Sequence, residues 1–170
     1  MTSAEVITDG FGRIRGVVHR VVDGLSAEQL CSRVDDTANS IAWLVWHLTR
    51  IQDDHLADAF GAEQVWTSRG WAERFGLPFD RLATGYGHGP GEVAAVRVDS
   101  GDLLTGYHDD VHRRTLEVVE GIRDGDLDRV VDDSWDPPVS LGVRLVSVLA
   151  DGLQHAGQAA FVRGIVERRR

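Results

Sequence analysis

Three side chains at helix-compatible spacing carry the residue types that bind divalent metal ions. Asp151 and His155 lie four residues apart in the segment VLADGLQHAGQAAFVRG, and His47 lies in the segment SIAWLVWHLTR. Residues four apart on a helix have side chains about 5–6 Å from each other, close enough to hold one ion together. A neighbouring helix could supply the third ligand. Three nitrogen and oxygen ligands leave one coordination position open, which is typical of catalytic rather than structural zinc sites.

Simpler interpretations of these three residues stay open on spacing alone. Helical periodicity places all three on otherwise apolar stripes, where an unpaired charge is costly and each group therefore needs a partner. Asp151 and His155 could form an ion pair within their helix, and His47 could be hydrogen-bonded in the core without any ligand. The presence of three such groups on core-facing stripes strengthens the case for a metal site, and the simpler interpretations stay open.

Four segments with helical periodicity must position these residues, and none of the chain shows the alternation expected of strands. The segments are 2–23, 39–60, 100–122 and 140–169. Three of them have a residue at the start that can cap a helix: Thr2 (with Glu5 in a capping-box pattern), Asn39 or Ser40, and Ser140. We therefore predict an all-α protein, a four-helix bundle.

The segment between the second and third long helices, about residues 64–98, is predicted to be largely irregular. TSRGWAERFG could form one short helix, but LPFDRLATGYGHGPGE contains too much Gly and Pro for regular structure. A long loop inside a compact domain is often functional. We expect this segment to form a wall or lid of a site.

The other histidines are weaker candidates for metal ligands or catalytic groups. His108 and His112 are also four apart, but the charged residues around them in YHDDVHRR favour a solvated flank with local salt bridges. His55, two turns beyond His47, is interpreted as a group near the site or on the surface. His88, in the irregular segment, could reach a substrate, and His19 is interpreted as structural.

Composition narrows the class of partner. The chain has 18 Lys and Arg against 27 Asp and Glu, a formal net charge of −9, and phosphate binding needs clustered basic residues, so we expect no nucleic-acid partner. The apolar runs are too short for a membrane span and no signal peptide precedes the first helix, so we expect a cytoplasmic protein without a membrane partner. The single cysteine, Cys31, excludes a multi-cysteine zinc site and is interpreted as a half-buried apolar residue rather than a catalytic thiol.

The segments SIAWLVWHLTRIQDDHL and LADGLQHAGQAAFVRG together resemble the DinB-like superfamily. The likeness is to its branch containing the mycothiol-dependent maleylpyruvate isomerase N-terminal domain and related thiol S-transferases. It runs over nearly the whole chain, and HAGQ followed by Arg163 is its most specific piece. The resemblance implies a four-helix bundle with a divalent metal, usually zinc or nickel. The family's ligand positions, one His on the second long helix and two residues four apart on the last, fall on His47, Asp151 and His155.

The chain departs from the family pattern at Asp151, where His or Glu is more usual. Asp is a competent oxygen ligand but is one methylene shorter than Glu. The departure therefore bears on metal affinity and not on the position of the site. The isomerase also carries a C-terminal domain for which 170 residues leave no room, so we expect residues 1–170 to form a single metal-binding domain without isomerase activity.

The resemblance implies a divalent-metal-dependent transferase that attaches a low-molecular-weight thiol to an electrophilic small molecule. The composition, with Arg as every basic residue and no Lys, is typical of GC-rich bacteria and favours mycothiol as the thiol. The resemblance also allows a homodimer. Two alternatives are a metal-dependent hydrolase that uses a metal-bound water, and a non-catalytic bundle that binds a ligand or partner through a degenerate site.

Overall fold

The computed structural model describes residues 1–169 and is built from helices. The four long helices are α1 (Ser3–Val22), α3 (Ile41–Ala59), α7 (Gly101–Val119) and α8 (Leu141–Arg168). Shorter helices are α2 (Ala27–Cys31), α4 (Val65–Ser68), α5 (Trp71–Phe75) and α6 (Pro90–Ala95), with a 3-10 helix at Asp124–Asp128. The predicted all-α class is confirmed.

The helices α1, α3 and α8 begin at the capping residues that the sequence indicates. The Thr2 hydroxyl accepts from the Glu5 backbone N–H and the Glu5 carboxylate accepts from the Thr2 N–H, which completes a capping box. The hydroxyls of Ser40 and Ser140 accept from N–H groups in the first turns of α3 and α8. Gly61 follows α3 with a φ of +60°, a conformation that favours glycine. These caps fix which residues of α3 and α8 face each other.

The four long helices pack in pairs around one core, with α3 and α1 each contacting both α7 and α8. Helix α3 is buried on nearly every side, which explains why its apolar residues extend beyond one stripe. On α8 the fully buried line runs through Gly152 and Ala156, one residue beyond Asp151 and His155. A Cβ at Gly152 would lie 2.8 Å from the Ile14 Cδ1, so this glycine lets α1 approach α8 beside the predicted site.

The structure adds regular elements where the sequence indicates a loop or connection. Two helices, α4 and α5, replace the single helix expected over TSRGWAERFG, because Gly70 between them has a φ of +70°. Strands β1 (Val130–Asp132) and β2 (Val139–Ser140) form a short antiparallel pair just before α8. They are too short for a periodicity signal. Within residues 1–169, no helix is long and apolar enough to cross a membrane.

Candidate metal centre

His47, Asp151 and His155 converge where α3 packs against α8. One potential ligand atom from each lies within 4.8 Å of the other two. The two imidazole rings are 4.8 Å apart between centroids and inclined at 76°. His47 is 5% exposed, whereas the side chains of Asp151 and His155 are 30% and 18% exposed. The cluster therefore lies at the edge of the core and opens to solvent on the α8 side.

Hydrogen bonds at Nδ1 orient both histidine rings. His47 Nδ1 lies 2.6 Å from the carbonyl oxygen of Thr84, which can only accept, so Nδ1 carries the proton. His155 Nδ1 donates to the Gln158 side-chain oxygen at 3.0 Å. Metal-binding histidines are commonly oriented by such a bond from the second ring nitrogen. Two imidazoles oriented in this way can turn their Nε2 atoms toward a divalent cation.

The hydrogen bonding of the Asp151 carboxylate indicates whether a cation fits between the three side chains. Its Oδ1 lies 3.4 Å from His155 Nε2, but its Oδ2 is buried and has no hydrogen-bond partner among residues 1–169. A buried carboxylate oxygen without a partner is costly. A cation bound by the cluster would satisfy it, and two imidazole nitrogens with one carboxylate form a donor set suited to zinc or nickel.

The protonation tendencies of the two histidines differ. Burial is the main cause that lowers the pKa of His47, which keeps the ring neutral, as a ligand must be. The hydrogen bond with Asp151 is the main cause that raises the pKa of His155. Without an ion, His155 therefore binds a proton more readily, and that proton occupies the place that a cation would take.

Trp43, on α3, packs against the rings of both His47 and His155. Its ring stacks on His47 with centroids 4.5 Å apart and planes at 15°, and it meets His155 edge-on at 6.1 Å. Residues four apart on one helix, such as Trp43 and His47, lie on the same face. The tryptophan is therefore a rigid wall that restricts both rings.

The irregular segment forms a wall of the site, as the sequence indicates. Gly85, with a φ of +95°, passes directly over His47: a Cβ built there would lie 2.7 Å from His47 Nδ1 and 2.9 Å from Trp46 Cζ3. Only glycine fits both this backbone conformation and this approach. The next carbonyl upstream, that of Thr84, is the one that accepts from His47.

We expect Gly85→Ala to weaken metal binding at least about tenfold, since a Cβ at 2.7 Å must displace the His47 ring or the loop. Gly87→Ala is the matched control because Gly87 also has a positive φ, +76°, but nothing lies within 4 Å of its Cβ position. Calorimetric titration with Zn²⁺ checks both variants. Equal losses would mean that the backbone conformation matters and the approach to His47 does not.

A buried ion pair that sequence reasoning missed anchors this wall. Arg50 is 0% exposed and donates to the carbonyl oxygens of Ala83 (3.1 Å) and Leu82 (3.2 Å) and to the Tyr107 hydroxyl (3.3 Å). Its guanidinium lies 3.7 Å from the carboxylate of Asp53. The carbonyls that Arg50 holds immediately precede the one that orients His47, so the arginine positions the metal cluster through the loop.

Asp53 completes this network at the far side of Arg50. Its carboxylate accepts from the backbone N–H groups of Val65 and Trp66 and from the Tyr107 hydroxyl, at 2.7–2.8 Å. Burial raises the pKa of Asp53, and these donors oppose the rise. The signal in the sequence was an Arg and an Asp three residues apart inside the most apolar helix, where charges need partners.

His88 and His55 lie on different sides of the site. The Trp43 indole N–H donates to His88 Nδ1 at 3.3 Å, and the His88 ring lies against Trp46 and Phe79. His55 Nδ1 lies 3.2 Å from Arg144 Nη1, which can only donate. Burial first, then Arg144, lowers the pKa of His55. Neither histidine belongs to the three-residue cluster.

The interpretation of His108 as part of a solvated flank is wrong. His108 is 0% exposed, and its Nδ1 lies 3.1 Å from the Thr49 hydroxyl, which itself donates to the Val45 carbonyl. The charged neighbours of His108 point to other sides of α7: Asp109, for example, accepts from Arg15 and lies 2.8 Å from His19 Nε2. His19 thus links α1 to α7 through Asp109.

Burial lowers the pKa of His108 to about 3, so the protein should lose stability as the pH falls from about 6.5 to about 3. In this window the unfolded chain binds a proton on His108 and the folded chain does not, which favours unfolding. We expect His108→Leu to reduce the pH dependence of the unfolding free energy by a few kcal/mol. Urea denaturation of both proteins at several pH values checks this. Parallel stability curves for the two proteins would contradict it.

Comparison with known proteins identifies the family. Residues 7–167 match the family model described as mycothiol-S-transferase. A solved crystal structure of a conserved protein from Enterococcus faecalis superimposes with a TM-score of 0.91 at 27% identity, over 98% of both chains. No curated protein matches the chain significantly. The match over nearly the whole length confirms the resemblance seen in the sequence: this chain belongs to the mycothiol S-transferase family.

Proposed function

We propose that the chain is a divalent-metal-dependent transferase that attaches the sulfur of mycothiol to an electrophilic small molecule, with His47, Asp151 and His155 as the metal ligands. The observation that carries this proposal is that His47, Asp151 and His155 each bring one potential ligand atom within 4.8 Å of the other two, while the buried Asp151 Oδ2 has no hydrogen-bond partner among residues 1–169. The family supports the thiol as co-substrate.

The residues of the chain prepare the site and leave one side of it open. A divalent ion held there would act as a Lewis acid that binds the thiol sulfur and lowers its pKa, so that a thiolate forms at neutral pH. Thr84 and Gln158 orient the two imidazole rings, and Trp43 packs against His47 on the α3 side. The partial exposure of Asp151 and His155 leaves access for a thiol and an electrophile.

In the proposed reaction the thiol loses its proton to solvent and its sulfur forms a bond to an electrophilic carbon. The leaving group departs with the electron pair of the bond that breaks. With monobromobimane as the electrophile, bromide is released and the product is fluorescent. This electrophile allows turnover to be followed without knowledge of the natural substrate.

The test uses untagged protein, dialysed against a chelator and then reloaded with Zn²⁺ or Ni²⁺. Turnover of monobromobimane above the uncatalysed rate should require both the ion and mycothiol. Turnover of ester or amide substrates without a thiol would contradict the transferase and favour a hydrolase. An ion-loaded protein without turnover on any of these substrates would contradict catalysis.

We expect Asp151→Glu to retain metal and activity within about tenfold, because Glu supplies the same oxygen donor on a longer arm. Asp151→Asn, with nearly the same shape but no charge, should weaken Zn²⁺ binding by about tenfold or more. Metal titration of the two variants checks the pair. If Asn binds as well as Asp, the carboxylate charge is not part of the site.

We also propose that residues 1–170 act as one metal-binding domain and that two copies associate. The outward side of α8 carries exposed apolar side chains that a second copy could cover: Val143, Val146, Leu153 and Phe161.

A further inference from the structure

An open cleft of about 500 Å³ is lined by residues of α3, of α8 and of the segment that precedes α8, among them His55, Arg144 and Trp135. On α3, His55 follows His47 by eight residues, and on α8, Arg144 precedes Asp151 by seven. Each step is about two helical turns, roughly 10–12 Å. The negative charge of Asp151 acts on His55, where it opposes the lowering of its pKa, which is caused chiefly by burial. The cleft and the cluster therefore lie about two helical turns apart along the same pair of helices.

The polar groups of the cleft are held in fixed orientations. Arg144 donates to Asp132 at 2.6 Å, and its second nitrogen lies 3.2 Å from His55 Nδ1. Because Arg144 can only donate, His55 Nδ1 accepts, and the neutral ring carries its proton on Nε2 as a donor. Asp54 accepts from Gln64 at 2.7 Å and keeps further lone pairs. The cleft thus combines oriented donors and acceptors.

Trp135 gives this polar cleft one large apolar surface. It lies between β1 and β2, lines the cleft and is 66% exposed. An exposed indole offers a flat face on which a saturated ring can pack through its C–H groups, while hydroxyls at the edge of that ring reach polar neighbours. A flat aromatic face beside mixed donors and acceptors suits a polyhydroxylated ring.

The charge of the cleft selects among ligands. Three carboxylates, those of Asp54, Asp58 and Asp132, face one guanidinium, that of Arg144. This excess of negative charge disfavours phosphates and other anions. Arg144 and Gln64 already engage two of the carboxylates, which weakens their attraction for a cation. Hydroxyl groups, which both donate and accept without carrying charge, match this lining best.

We infer that the cleft lined by Trp135, His55 and Arg144 binds a neutral polyhydroxylated ring ligand. This inference rests on the proposed function for the identity of that ligand, the sugar–inositol part of mycothiol. The cleft lies about two helical turns from the cluster, roughly 10–12 Å, a distance that the cysteinyl arm and amino sugar of such a thiol can span. With the ring moiety in the cleft, the sulfur reaches the three candidate ligands.

The test measures binding of a thiol-free, neutral probe, N-acetylglucosaminyl-inositol, by titration calorimetry with the intact protein. Trp135→Ala should weaken its binding about tenfold or more, and Trp135→Phe should restore part of the affinity. Val6→Ala is the control, since Val6 is an exposed apolar residue on α1 that lies outside the lining of the cleft. It should bind like the unaltered protein.

Further measurements distinguish a failure of this inference from a failure of the proposed function. His155→Ala should bind the probe normally, because the probe has no sulfur and does not need the metal cluster. Normal probe binding in a protein without thiol transfer would leave the cleft assignment standing and contradict only the transferase. The inference would be overturned if Trp135→Ala bound the probe as tightly as the unaltered protein, or if spermidine bound the cleft and the probe did not.

Discussion

His47→Ala should lower thiol-transfer activity at least about a thousandfold and abolish stoichiometric metal binding, while the protein stays folded. His47 is the one candidate ligand that α3 supplies, and the two ligands on α8 cannot hold a catalytic ion without a third. The change removes a buried ring and leaves the Thr84 carbonyl without its donor, which should cost about 1–3 kcal/mol of folding free energy. Turnover of monobromobimane with mycothiol and the metal content of the variant check this expectation.

His112→Ala is the matched control for His47→Ala. His112 is a partly buried histidine on α7, outside the metal cluster. It should keep metal and activity within about twofold of the unaltered protein, because surface-side changes away from a site have small effects. Equal losses in the two variants would show that activity depends on general stability. Retention of full metal and activity by His47→Ala would remove His47 from the site.

Arg50→Met should destabilise the protein by about 3–5 kcal/mol, because it leaves the buried Asp53 carboxylate without its cation and frees two loop carbonyls. The remaining donors to Asp53 reduce this loss but do not replace the charge. The loop that carries Thr84 should also loosen, so Zn²⁺ affinity should fall at least about tenfold in protein that is still folded. Urea denaturation and metal titration below the unfolding transition measure the two effects.

Arg113→Met controls for removal of an arginine from a helix. Arg113 is 58% exposed and pairs with Asp110 at 2.8 Å, so its loss should cost at most about 1 kcal/mol. Arg50→Lys keeps the charge but not the planar guanidinium, so its loss of unfolding free energy should lie between those of Arg50→Met and Arg113→Met. This variant remains measurable if Arg50→Met does not fold. A loss for Arg50→Met as small as that for Arg113→Met would contradict the anchoring role.

The long helices could be predicted from the sequence because they depend on local spacing, and the resemblance to the family indicated that His47 would meet Asp151 and His155. Ser40 and Ser140 set the starts of α3 and α8, and the helical repeat then places His47 on one and Asp151 with His155 on the other. The helical repeat predicted the burial of Asp151 and His155 less accurately than their positions along α8. Gly152 and Ala156 occupy the fully buried line, so Asp151 and His155 lie at its edge.

The supporting structure around the cluster could not be predicted in the same way. The partners of Arg50 are backbone carbonyls of an irregular segment, and no side-chain pattern shows where such carbonyls will lie. The burial of His108 did have a signal. Leu104, His108 and Val111 follow helical spacing along the buried side of α7. The charged residues adjacent in sequence point elsewhere, because successive residues on a helix are about 100° apart.

Metal analysis by native mass spectrometry tests the candidate metal centre most directly, on protein purified without a metal-affinity tag. The unaltered protein should carry about one divalent ion per chain after exposure to Zn²⁺ and removal of excess ion. His155→Ala, which keeps the fold and loses one ligand, should carry almost none. Equal and negligible metal in the two proteins would contradict the assignment of His47, Asp151 and His155 as a metal site.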